Sequence, residues 1–186
     1  GMYNMNGGFT ISNPGITIRL ANSAIIQNDS LCFIVNADNV TITSETIGGA
    51  KCVPTGGSDG IVVGSDTDPN VEGLRIVGIE IDGSDSTGSR DGIHFNGAIN
   101  NFQIVDNYIH DLDGDGVEFT AQPTGEVMEI QGNLFQNNGG LGVNNSAGTA
   151  AINAEYNSWG HYSAPAVGTD ISENVDADPW THVDLY

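Results

Sequence analysis

Basic residues are nearly absent. Four Lys and Arg stand against 24 Asp and Glu, a net charge of −20. Such a surface repels phosphate backbones and anionic lipid, which excludes nucleic acid and membrane surfaces as partners. It also repels acidic polysaccharide unless a cation bridges the two. No apolar run approaches the roughly 18 residues that a membrane span needs, so no membrane insertion is expected. No stretch carries helical apolar spacing over three turns, which excludes helical and leucine-rich solenoids. Only two cysteines are present, Cys32 and Cys52. An even pair fits a disulfide in an oxidising compartment. It would close a loop of about 20 residues, worth about 3 kcal/mol through the unfolded state. The alternative is two free thiols buried as small apolar residues. Lysine depletion with abundant Asn, Thr, Ser and Gly favours the bridge and an extracellular or cell-surface location.

A repeated phrase is what the chain does have. Asp91-Gly92-Ile93-His94-Phe95 returns as Asp115-Gly116-Val117-Glu118-Phe119. An earlier copy is Asp59-Gly60-Ile61-Val62-Val63, and a degraded later one is Leu141-Gly142-Val143-Asn144-Asn145. A period of about two dozen residues marks one supersecondary unit stacked on copies of itself. Each unit holds three short alternating strands separated by Asn, Gly and Asp turns. The fold class is therefore all-β: a single-stranded right-handed parallel β-helix of about six coils, with three parallel sheets. Residues 1–160 form the coils, and residues 161–186, where the period is lost, form an irregular C-terminal cap of the same domain. Residues 51–58 are expected to be an insertion, and Trp180 to cover the last coil.

Register predicts columns of like side chains. Ile76, Ile104 and Ile130 fall in one, and Ile81, Ile109, Phe135 and Trp159 in another. Asn107, Asn133 and Asn157 form a turn column, expected to be a structural hydrogen-bonding ladder.

These residues resemble the right-handed parallel β-helix repeat family, the pectate-lyase-like superfamily. The likeness rests on Asp91 to Phe95, on Asn101 to Ile104, and on Asn107-Tyr108-Ile109 through Gly114 and Gly116. The ending, Asn157-Ser158-Trp159-Gly160, Pro165, Gly168, Asn174-Val175-Asp176 and Pro179-Trp180, is similar to the closing segment of bacterial surface β-helix proteins. The resemblance implies fold more than activity, because one fold hosts many chemistries.

Chemistry has two candidate seats. With Ile93 and Phe95 inward, His94 points out, and Glu118 lies one coil away. Together with Asp91 and Asp115 they form the candidate catalytic set, able to hold or move a proton. The competing reading is a solvated cross-strand pair. Asp111, Asp113 and Asp115 have the spacing that opens a calcium loop. Gln122 stands where the bidentate Glu belongs and no helices flank it, so an EF-hand is excluded. Calcium held in a β-helix turn is the one cofactor raised; an ordinary polar turn is the alternative. His161 and His182 have no partners evident in sequence.

The expected function is a non-catalytic extracellular or cell-surface module with a structural, adhesive or carbohydrate-contacting role, self-associating end to end. Its partners would be polysaccharide or copies of itself. The alternative is a calcium-dependent polysaccharide lyase or a small glycosidase acting from the first-sheet face. Loops 65–70 and 82–90 are the longer turns that could wall a groove.

Overall fold

The computed structural model describes residues 2–4, 8–27, 30–64, 70–84, 88 and 90–182, with only the backbone for 2–4. Its first coils comprise β1 (Met2–Asn4), β2 (Phe9–Ile11), β3 (Thr17–Leu20), β4 (Ala24–Gln27), β5 (Phe33–Val35), β6 (Thr41–Ser44) and β7 (Ala50–Val53). The middle coils comprise β8 (Ile61–Val63), β9 (Val71–Val77), β10 (Ile79–Asp82), β11 (Ile93–Phe95), β12 (Ile99–Val105) and β13 (Tyr108–His110). The last comprise β14 (Val117–Phe119), β15 (Thr124–Gln131), β16 (Leu134–Gln136), β17 (Val143–Asn144), β18 (Ile152–Asn153) and β19 (Val175–Asp176).

Every third strand meets its equivalent one coil away. The first sheet runs β2-β5-β8-β11-β14-β17, the second β3-β6-β9-β12-β15-β18-β19, and the third β1-β4-β7-β10-β13-β16. All pairings are parallel, and no helix occurs among the described residues. The chain is a parallel β-solenoid of about six turns.

Alternation along each short strand decides what enters the core. Ile93 and Phe95 are 0% and 1% exposed, whereas His94 between them is only half-buried. Ile42, Ile76, Ile104 and Ile130 pair in register as one fully buried column. Ile26, Cys52, Ile81, Ile109 and Phe135 form a second, and Phe135 stacks on Trp159 at 5.2 Å. Phe95 and Phe119 lie face to face at 4.5 Å. Each contact is modest, but a column repeats it at every rung.

The glycine of the repeated phrase exists for want of space. A Cβ on Gly92 would lie 2.6 Å from the carbonyl oxygen of Gly116. Gly60 stands in the same relation to Gly92, and Gly116 to Gly142.

Turn polar groups are satisfied vertically. Oδ1 of Asn133 accepts the backbone N–H of Asn107 at 2.9 Å and its Nδ2–H at 3.0 Å. Asn157 does the same for Asn133 at 2.8 and 3.0 Å. Nδ2 of Asn133 also donates to the Ile104 carbonyl at 2.8 Å. All three asparagines are buried, so these bonds replace water that cannot enter.

Residues 51–58, expected as an insertion, are in part a strand. Ala50–Val53 is β7, and Cys52 takes an inward position between Ile26 and Ile81. Only four residues alternate there, too few to stand out beside the Gly-rich bend. Cys52 is bonded to Cys32, with Cα atoms 6.0 Å apart. The cap keeps the columns longer than its sequence shows. Val143 bridges Ile171, and Ile152 pairs with Val175, so both cap residues extend the core. Trp180 packs against that core, partly buried.

Candidate functional site

The outer face of the first sheet aligns Val62, His94, Glu118 and Asn144 on successive strands. Nδ1 of His94 lies 2.9 Å from Oε2 of Glu118 and 3.2 Å from Oδ2 of Asp91. Asp59, the same residue of the earlier copy of the phrase, completes a group with Asp91 and His94 whose donor atoms lie within 4.8 Å of one another. A shallow depression beside them is lined by Gly88, Arg90, Asp113 and Gly114.

The charges are unequally held. The hydrogen bond that His94 donates to Asp91 raises the His94 pKa against the opposing effect of burial. Burial alone would raise Asp91, yet hydrogen bonds from His94 and the Asp115 backbone carry it below the usual carboxylate range. Glu118 is raised by burial and by the neighbouring Asp91. Asp115 is raised too, chiefly by burial, although Asn144 and the Leu141 backbone donate to it.

Asp91, His94 and Glu118 of the candidate catalytic set therefore meet. Asp115 turns elsewhere: Oδ1 accepts the Leu141 N–H at 2.6 Å and Oδ2 accepts Nδ2 of Asn144 at 2.7 Å. Asp91 makes the equivalent bond, Oδ1 accepting the Asp115 N–H at 2.7 Å, and Asp59 accepts that of Asp91 at 3.1 Å. The Asp of the repeated phrase is thus a rung-to-rung acceptor, a second ladder signalled by the pattern of three identical Asp–Gly pairs.

Asp111, Asp113 and Asp115 do not come together as a metal-binding group among the described residues. Oδ2 of Asp111 faces Nδ1 of His110 at 2.7 Å, and Oδ1 accepts Nδ2 of Asn137 at 3.2 Å. Asp113 lines the depression beside Glu118. The spacing that suits a single calcium loop is here divided between a positive-φ corner at Asp111 and the ladder position at Asp115.

Another cluster is legible only in part in the sequence: the repeat register aligns His110 with Asp82 and Gln136 and sets it beside Asp111, but does not bring in Glu80 or Lys51. On the third sheet, His110 pairs in register with Asp82, and its Nε2 lies 3.1 Å from Oε1 of Glu80. Nζ of Lys51 reaches Glu80 at 2.7 Å and Asp82 at 2.8 Å. Burial would raise both carboxyls, but their hydrogen bonds prevail. His110 and Lys51 lower Glu80, while Lys51 and Ser84 hold Asp82 down to about 2. Burial lowers His110, and Glu80 and Asp111 more than reverse it. Lys51 sits in the segment expected as an insertion, so its repeat position, and with it its partners, is hidden in the sequence.

In the cap, His161 also has partners. Nε2 lies 3.0 Å from Oδ1 of Asp170, and Nδ1 lies 2.9 Å from Oγ of Ser163. His182 stacks on Tyr162 at 3.9 Å. Residues 65–69, 85–87 and 89, most of the two loops expected to wall a groove, lie outside the described residues.

Fold and site together define a parallel β-solenoid with a histidine–carboxylate cluster on its first-sheet face. No protein-family model, no curated protein and no solved structure matches the chain.

Proposed function

We propose that the chain is an extracellular or cell-surface solenoid module with a structural, adhesive or carbohydrate-contacting role, not itself catalytic, whose coils associate end to end. The observation that supports this reading is the use of the turn polar groups. Oδ1 of Asp91 and both oxygens of Asp115 accept coil-to-coil hydrogen bonds, and the amides of Asn107, Asn133 and Asn157 are committed likewise. A catalytic carboxylate must face its substrate. The disulfide and the acidic surface favour an oxidising, exposed setting. Stacked strand edges are natural templates for a second copy.

The test is to pass neutral and acidic polysaccharides over the immobilised chain while following unsaturated products. Retention without products is expected. Product formation lost in His94→Gln would overturn the reading.

One arrangement favours a second reading, a calcium-dependent polysaccharide lyase or small glycosidase. Asp91 held low and Glu118 pushed up around one imidazole is how acid and base roles are divided at one site. A glycosidase keeps its carboxyls about 5–10 Å apart, with sugar and water between them. Here both carboxyls lie against one nitrogen, Nδ1 of His94, at 3.2 and 2.9 Å, so proton abstraction by His94 suits the geometry better.

A further inference from the structure

We propose that His94, Asp91, Glu118 and Asp59 form a binding site for one divalent transition-metal cation of the zinc or manganese kind. The inference goes beyond the role proposed above and holds whether or not polysaccharide binds.

The first argument is convergence on a nitrogen. Oε2 of Glu118 and Oδ2 of Asp91 lie 2.9 and 3.2 Å from the same atom, Nδ1 of His94. Cis ligands about 2.1 Å from an octahedral ion lie about 3 Å from one another. Each carboxylate is thus spaced from the nitrogen as an ion would space it. The Asp59 carboxylate, from a third coil, lies within 4.8 Å of Asp91 and His94 donors.

The second argument is valence. A ring nitrogen carries at most one hydrogen, and one hydrogen cannot fully satisfy two carboxylates. Asp91 Oδ1 is already committed to the Asp115 N–H, which aims Oδ2 at His94. A cation on the Nδ1 lone pair satisfies all the groups together.

The third is comparison within the molecule. Glu80, Asp82 and His110 form the other such group among the described residues, and there Lys51 places its ammonium between the two acids at 2.7 and 2.8 Å. The position one coil below His94 that would serve the same purpose is Val62. The His94 group likewise sets an imidazole against carboxylates, without an ammonium between them.

An imidazole donor selects the metal. Nitrogen suits zinc better than calcium, which prefers oxygen throughout, while manganese is served by the carboxylates. The remaining positions open toward the depression lined by Arg90, Asp113 and Gly114, where water or an anionic group would complete the shell.

The experiment uses the whole chain, freed of metal by chelator and dialysis. Zinc, manganese and calcium chlorides are titrated separately by calorimetry. One equivalent of zinc or manganese should bind, with calcium at least tenfold weaker. His94→Gln and Glu118→Gln should each weaken binding tenfold or more, with His110→Gln unchanged. Manganese should broaden the His94 ring protons first, a readout that needs no variant to fold. Absence of binding, equal affinity for calcium, binding unaffected by His94→Gln, or loss in His110→Gln would each overturn the proposal. Its failure would leave the polysaccharide test untouched, since that test measures retention and not metal.

Discussion

His94 on the first sheet and His110 on the third each stand among three carboxylates, Asp59, Asp91 and Glu118 for one and Glu80, Asp82 and Asp111 for the other. The two differ in the cation set among the acids and in the ring nitrogens used: His110 meets Glu80 and Asp111 through separate nitrogens, and His94 meets Asp91 and Glu118 through one. Lys51, one coil below Glu80, lies in the His110 group, whereas the residue one coil below His94 is the partly buried Val62. With the ammonium present, Glu80 and Asp82 both fall below their ordinary pKa. Without it, Asp91 falls while Glu118 rises, pushed up by burial and by Asp91 beside it. A histidine among carboxylates thus makes a closed structural network in one place and an electrostatically unfinished one in the other. Coil position, not local sequence, decides which.

Removing the ammonium should break the contrast most sharply. Lys51→Met leaves Glu80 and Asp82 facing each other and His110 alone. Breaking a buried pair costs about 3–5 kcal/mol, and partial exposure reduces this to about 2 kcal/mol. Urea unfolding at neutral pH measures it, and a loss below about 0.5 kcal/mol would remove the distinction between the clusters.

Acid should act on the same network. Asp82 titrates at about 2 in the folded chain against 3.8 ordinarily, and Glu80 is lowered from 4.5. Depressed carboxyls stabilise above their unfolded pKa, and that contribution disappears as pH falls through the folded value. About 1–2 kcal/mol should be lost between about pH 4.5 and 2. His110, raised from 6.5, acts in the opposite direction: its contribution is full below 6.5 and fades as pH rises through the higher folded value. Denaturation midpoints across this range, compared with Lys51→Met, check both limbs. The acid limb should shrink in the variant.

The smallest effect sharpens the comparison by erasing it. Val62→Lys sets an ammonium on the rung below His94, as Lys51 sits below Glu80. Stability should rise by about 0.5–1 kcal/mol, the value of a partly exposed pair. Thermal unfolding of the variant beside the parent measures it.

Much of this architecture is legible in the amino-acid order. The Ile76–Ile104–Ile130 column and the asparagine column follow from period alone, because stacked rungs put equal residues at equal heights. The His94–Glu118 pairing follows from the same rule. Asp115 and Lys51 escape it. Asp115 carries the same phrase as Asp91, but its carboxylate is claimed by Leu141 and Asn144 on the next coil. Lys51 lies in a segment whose alternation is too short to register, and its partners are about 30 residues on.

By itself the sequence determined the period and the inward columns, since these depend on repetition and polarity along one chain, and it favoured the disulfide that the structure shows. Only the tertiary structure decided that Asp91 also faces His94, that Asp115 faces backbone and that Glu80 and Asp82 face an ammonium. Turn lengths vary from coil to coil, and a carboxylate responds to the few ångströms around it, not to its place in the repeat.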